Sequence, residues 1–165
     1  MERQEYMAVS AGELTDLAAE IVASGGQMEV RTRGYSMQPM LTFDRSRVRL
    51  APPGDLHRGD VALYRYPDGK CVIHRIVRVR RDGTLDCRGD YNLRTERGVR
   101  PDWVLAVVTD FSRSGTWRSR NDGWYRLYWN IWLLLWPARR IAAPLWRRAK
   151  GVLQRIGKKG SGELS

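Results

Sequence analysis

Three residue types in this chain could together support nucleophilic chemistry: Ser36, His74 and Asp90. A serine hydroxyl is a poor nucleophile until a neighbour removes its proton. Histidine is a suitable base near neutral pH, and it needs a third group to fix its tautomer and orientation. Ser36 sits in Gly34-Tyr35-Ser36-Met37-Gln38-Pro39-Met40-Leu41. Gly34 can take backbone angles closed to other residues, and Pro39 disfavours helical geometry at Gln38. The stretch reads as a short irregular turn that exposes a hydroxyl beside apolar side chains. Taken alone, it also fits a serine in an ordinary surface turn.

The chain has two histidines. His57 lies in a loop rich in Pro, Gly and Asp, where a solvated surface role is expected. His74 lies inside the run Cys71–Val79, which is rich in Val and Ile and reads as a strand. Asp90 follows on the returning arm of the same hairpin. With a three-residue loop Asp82-Gly83-Thr84, Ile76 opposes Asp90, and His74 becomes its diagonal neighbour at roughly 7–8 Å. With a two-residue loop, Asp90 turns to the other face. The Ser–His–Asp reading therefore requires the longer turn or a bulge. The same register keeps Cys71 and Cys87 roughly 26 Å apart, so both are expected as small apolar fillers rather than a disulfide.

The elements that would position these residues are mostly strands. Residues 11–24 read as an amphipathic helix, with Leu14, Leu17, Ala18, Ile21 and Val22 on one face. Ser10 and Glu13 match a capping box at its start. Short strands follow at 27–32, 47–50, 61–64, 71–79, 84–88 and 103–109, separated by Pro/Gly/Asp turns. One helix and then many short strands predict a mainly β domain with coiled connections. The expected organisation is a helical segment at 1–26, a β domain at 27–111, a polar linker at 112–123, and a Trp-rich, basic segment at 124–165.

The ordered boxes resemble the signal peptidase I-like S24/S26 serine peptidases. The Ser36 stretch is similar to their nucleophile box, and Arg58-Gly59-Asp60-Val61-Ala62-Leu63-Tyr64 to the box that follows it. His74-Arg75-Ile76-Val77 stands where the general base belongs. Arg88-Gly89-Asp90-Tyr91-Asn92 looks like the Gly-Asp-x-Asn box, and Trp103 to Val108 like the last strand of the domain. Histidine as base is the pattern of the endoplasmic-reticulum and sporulation types, where many bacterial members carry lysine. The resemblance implies a coiled β fold, Ser36 as nucleophile, His74 as base and Asp90 as supporting acid. It implies an oxyanion held partly by the Ser36 backbone N–H, at a position where some relatives add a hydroxyl and this chain has Gly34. Gly34 and Met37 are the expected substrate-binding positions. Eukaryotic-type members can carry a second acid six residues past the first, and that place is taken here by Glu96. No cofactor and no metal are expected. The implied substrate is an extended peptide or precursor protein. Two further readings stay open: a self-cleaving repressor-type peptidase, with Ala11-Gly12 matching the usual cleavage dipeptide, and a non-catalytic peptide-binding module.

The 165 residues carry a net charge of +11. Such a balance favours polyanions. From Pro137 onward Glu163 is the one acid among many Arg and Lys residues, which points to a surface-binding appendage. The N-terminal segment is too short for a helix-turn-helix, so nucleic acid is not the expected partner. Residues 124–136 hold Trp124, Trp129, Trp132 and Trp136. As a helix they extend about 20 Å, short of a bilayer core of roughly 30 Å. The segment 124–159 is therefore expected to lie in an anionic membrane interface, or to pack on its own domain. A span through the C-terminal segment is the alternative. With no apolar run behind the first residues, a cytoplasmic location, peripheral on the membrane face, is expected.

Overall fold

The computed structural model describes residues 20, 24–32, 34–42, 45–113 and 115–142. The helix expected over 11–24 and its capping box, the dipeptide Ala11-Gly12, and the basic tail from 143 lie wholly or almost wholly outside those residues. The described chain is mainly β. The strands are β1 (Met28–Arg31), β2 (Ser46–Ala51), β3 (Val61–Arg65), β4 (Cys71–Val79), β5 (Leu85–Arg88), β6 (Glu96–Val99), β7 (Val104–Arg113) and β8 (Thr116–Ser119). A 3-10 turn at Pro101–Trp103 precedes β7, and helix α1 (Gly123–Leu134) follows β8. A second short helix, α2, covers 136–142.

The strands form one open antiparallel sheet in the order β1-β2-β7-β3-β4-β5-β6. The long strand β7 organises it. Along one edge β7 pairs with β2; along the other, its first half pairs with β3 and its last residues with β8. Residues 112–123, expected as a linker, thus close the β7–β8 hairpin. Arg49 stacks on the Trp117 ring at 4.1 Å, tying that hairpin to β2.

Successive residues of a strand point to opposite faces of the sheet. On β3 this alternation divides the interior in two. Val61 and Leu63 join a cluster with Met37, Met40, Leu41, Val48, Leu50, Val108 and Phe111. Ala62 and Tyr64 join the other, with Ile76, Leu85, Cys87, Val99 and Val104. Both faces of β3 are covered, which is why Val61–Tyr64 is a continuous apolar run and not an alternating one. The two cysteines are free, Cys87 buried and Cys71 partly so.

Helix α1 lies against the first cluster. Tyr125 is buried on it, with Tyr128 and Trp129 packed alongside. Trp129 crosses so closely over Gly59 that a Cβ there would come within 2.5 Å of the indole ring. One of the two expected uses of the segment is therefore realised by α1: it packs on its own domain. With 12 residues, α1 falls well short of a span, and no helix among the described residues is long and apolar enough to cross a membrane.

Candidate functional site

The serine turn is built as its glycine and proline dictate. Gly34 takes a φ of +113°, and the Gln38–Pro39 peptide is cis. The Gln38 N–H donates to the Tyr35 carbonyl and the Leu41 N–H to the Met37 carbonyl. Below the turn, Met37, Met40 and Leu41 enter the core. Met37, expected to line a peptide groove, is buried there as filler that fixes the turn. Ser36 stays half-exposed, and Gly34 is exposed beside it.

Ser36 is held against the segment that follows β5. Its carbonyl accepts the Tyr91 N–H at 2.8 Å. Gly89 lies directly beneath it: a Cβ at that position would stand 2.5 Å from the Ser36 carbonyl oxygen and 3.0 Å from its Cβ. Only glycine permits that approach. Gly89→Ala is therefore expected to push the serine out of place, and a displacement of about 1 Å costs roughly 10²-fold in rate. Measuring kcat beside the thermal midpoint checks this: the rate falls far more than the modest overpacking of about 1–3 kcal/mol accounts for.

His74 lies on β4, on the face shared with Ala62, its partner on β3. The turn between β4 and β5 has three residues, Arg81-Asp82-Gly83, and so matches the longer loop considered from the sequence but sits one position earlier. Val79 pairs with Leu85, and Arg80 and Thr84 are joined across the turn by a backbone hydrogen bond. Arg78 then pairs with Asp86 but Ile76 with Cys87, leaving Val77 as a bulge. That one extra residue reverses the facing of everything beyond it. Asp90 consequently leaves the His74 face and joins Arg75. Its carboxylate receives Nε and Nη2 of Arg75 at 2.8 and 2.7 Å, both side chains essentially buried. Asp90 is thus not the acid beside the histidine, contrary to the expectation from the hairpin.

The acid beside His74 is Glu96. β6 pairs with β5 so that Glu96 opposes Cys87, which itself opposes Ile76. This brings Glu96 to the His74 face, with its Oε2 3.1 Å from His74 Nδ1. Tyr66 donates its hydroxyl to the same oxygen at 2.8 Å, and Tyr64 does so as well. The Tyr64 oxygen also lies 3.3 Å from His74 Nδ1. An ionised carboxylate has no proton to give, and the Tyr64 proton is committed to Glu96. Both oxygens next to Nδ1 therefore act as acceptors, which requires the proton on Nδ1 and leaves the Nε2 lone pair free to act as a base. Sequence reasoning underrated Glu96; the one signal was its spacing of six residues after Asp90.

Burial opposes ionisation of Glu96, but hydrogen bonds from His74, Tyr64 and Tyr66 outweigh it and hold its carboxyl down at about 2. Burial and then Glu96 push the Tyr66 phenol up to about 12 and the Tyr64 phenol higher still. Burial, with the Glu96 charge next, raises the Cys87 thiol to about 12, so Cys87 is not a nucleophile at neutral pH. Because the Glu96 pKa is depressed by folding, its ionised form stabilises the fold above its ordinary value of 4.5, and that contribution is lost as the pH falls through about 2. Thermal midpoints taken from pH 5 to pH 2 are expected to fall for the wild type and to fall less steeply for Glu96→Gln. In the same variant an amide can offer N–H to Nδ1 and favour the wrong tautomer. Turnover is expected to drop roughly 10²–10³-fold, within the usual range for acid–base assistance, because Tyr64 still faces the ring.

Both halves of the site are tied to the end of β5, Ser36 through Gly89 and His74 through its neighbour Arg75. The β4–β5 ladder ends at Arg75 opposite Arg88, and one further step in that register would set Gly89, the residue beneath Ser36, across from His74. Among the described residues no hydrogen bond joins the Ser36 hydroxyl to His74, and none accepts from the Ser36 backbone N–H. Nor does any group of His, Cys, Asp and Glu among them have the arrangement to hold a metal ion. No protein-family model matches this chain, and neither a curated protein nor a solved structure does.

Proposed function

We propose that this protein is a serine endopeptidase of the signal-peptidase type, with Ser36 as nucleophile, His74 as base and Glu96 as the acid that orients it. The observation that carries the reading is the Glu96–His74 contact at 3.1 Å, made to a buried histidine. An ionised carboxylate and the Tyr64 hydroxyl at Nδ1 hold the imidazole in the tautomer a general base requires.

In this mechanism Ser36 Oγ attacks the scissile carbonyl carbon as His74 Nε2 takes its proton. The imidazolium that forms is stabilised by Glu96. The negative oxygen of the tetrahedral intermediate is met by the Ser36 backbone N–H. Collapse expels the amine, which leaves with the proton from Nε2, and an ester remains on Ser36. Water, deprotonated by the same nitrogen, then releases the acid and restores the serine. No cofactor enters any step. Asp90 acts at a distance: it holds Arg75 next to His74 and carries Gly89 beneath Ser36.

The substrate reading is an extended peptide or precursor protein with small side chains near the cut, short ribosomal peptide precursors being one class to test. Incubating the protein with such precursors and reading products by mass tests it. One discrete pair of fragments, whose masses sum to the precursor plus water, is expected. Intact precursors at every enzyme concentration would contradict the reading.

A further inference from the structure

Helix α1 is apolar around most of its circumference, with a narrow polar strip at Arg126 and Asn130, and the domain covers only part of the apolar arc. Tyr125, Tyr128 and Trp132 recur at spacings of three and four and face the domain. Trp132 donates its indole N–H to the Asp90 carbonyl at 2.8 Å, and Arg139 donates to the same oxygen at 3.0 Å while lying over the Trp132 ring. The adjoining stripe, Trp124, Leu127, Ile131 and Leu134, has the same period and is open to solvent, Leu134 being 77% and Trp124 67% exposed. Leu135 and, on α2, Ile141 extend it. From Trp124 to Leu134 the row runs about 15 Å.

We infer that this stripe is a docking surface for an anionic lipid bilayer, on which α1 lies in the plane of the interface. Charge identifies the occupant. No acidic residue occurs between Gly123 and Gly162, whereas Arg126 and Arg140 flank the stripe and Arg147, Arg148, Lys150, Arg155, Lys158 and Lys159 follow it. Basic flanks on a large apolar row, with an exposed tryptophan at one end, are the chemistry of interfacial helices. A specific protein partner would need polar groups to set its register, and the stripe offers none: Asn130, the polar residue at its edge, turns its amide back onto the Arg126 carbonyl at 2.8 Å. A second copy of the chain would bring +11 against +11. The same helix grips the Asp90 carbonyl from its domain-facing side, so docking presents the Ser36-bearing segment to the bilayer in one fixed orientation. The inference is independent of whether Ser36 cuts peptides.

Flotation of the full chain with vesicles tests it, using phosphatidylcholine alone and phosphatidylcholine with phosphatidylglycerol. Binding at least tenfold stronger to the anionic vesicles is expected. Leu127→Asp with Ile131→Asp, both at exposed positions, is expected to lower that binding at least tenfold while leaving the thermal midpoint unchanged. Arg126→Glu with Arg140→Glu is expected to weaken binding to the anionic vesicles severalfold and leave binding to phosphatidylcholine alone unchanged; equal binding of this variant and the wild type to the anionic vesicles would overturn the place given to these two arginines. Wild-type protein that stays with the soluble fraction would overturn the inference, as would unchanged binding of the aspartate variant, since the basic tail would then account for it. Elution of the wild type as a dimer that the aspartate variant converts to a monomer would overturn it in favour of self-association.

Discussion

Ser36→Ala is expected to lower peptide turnover by on the order of 10⁴-fold or more, and His74→Ala by a similar factor. Residues that act as one unit lose nearly the whole chemical step when either is removed, so the double variant should be little worse than each single one. The Ser36 hydroxyl makes no hydrogen bond to a described residue, and the core contacts of its turn are made by Met37, Met40 and Leu41. Its removal should therefore leave the thermal midpoint in place. His74→Ala differs in one respect: it strips a partner from Glu96, so it should also flatten the loss of stability in acid. Kinetics paired with thermal unfolding at pH 7 and pH 3 separate the two. Two variants with wild-type turnover would remove both residues from the chemistry.

The second large effect concerns stability. Arg75 is the largest fully buried side chain. It gives two hydrogen bonds to Asp90, and Nη1 donates to the Gly59 carbonyl at 2.9 Å and the Tyr125 hydroxyl at 2.7 Å. Although burial disfavours its charge, Asp90 and Tyr125 more than restore it and raise its pKa. One guanidinium thereby links β4, the segment after β5, the loop before β3, and helix α1. Removing one partner leaves the other charge buried and unpaired, which costs about 3–5 kcal/mol. Asp90→Ala and Arg75→Ala should each lower the thermal midpoint by roughly 6–20 °C, taking about 2–4 °C per kcal/mol for a domain of this size. The loss of turnover in Asp90→Ala should follow its loss of fold and be regained largely on cooling. Glu96→Gln should behave in the opposite way, folded but slow at every temperature. A folded, inactive Asp90→Ala would return Asp90 to the histidine.

These two acids also show what was legible in the sequence. Strand β4 was readable from end to end because it is rich in Val and Ile, holds no Pro or Gly and is bounded by turns. The mainly β architecture followed from the spacing of such runs. Pairing Asp90 with His74 failed through a single bulged residue, Val77, which no local pattern announces because Val suits a regular strand equally well. Glu96 was visible only as the residue six places after Asp90, because β6 is four residues long and contains Gly98, a segment with no period to read; its pairing to Cys87 is what brings the carboxylate to the histidine. Residues 112–123 have the composition of a linker, yet stacking of Arg49 on Trp117 and pairing to the end of β7 make them a hairpin. Met37 was apolar and next to the serine, which fits groove and core alike until burial decides. The tryptophans around α1 left packing and lipid docking as competing readings; the fold assigns part of the apolar arc to the domain and leaves the adjoining stripe exposed.

Reaction with a fluorophosphonate probe, located by peptide mass mapping, bears most directly on the assignment of Ser36 and His74. Such a probe labels a serine only when a base has activated it. Wild-type protein should carry one adduct, on the peptide containing Ser36. Ser36→Ala should carry none, and His74→Ala should react at no more than a small fraction of the wild-type rate. Equal labelling of all three proteins, or an adduct on another residue, would contradict the account.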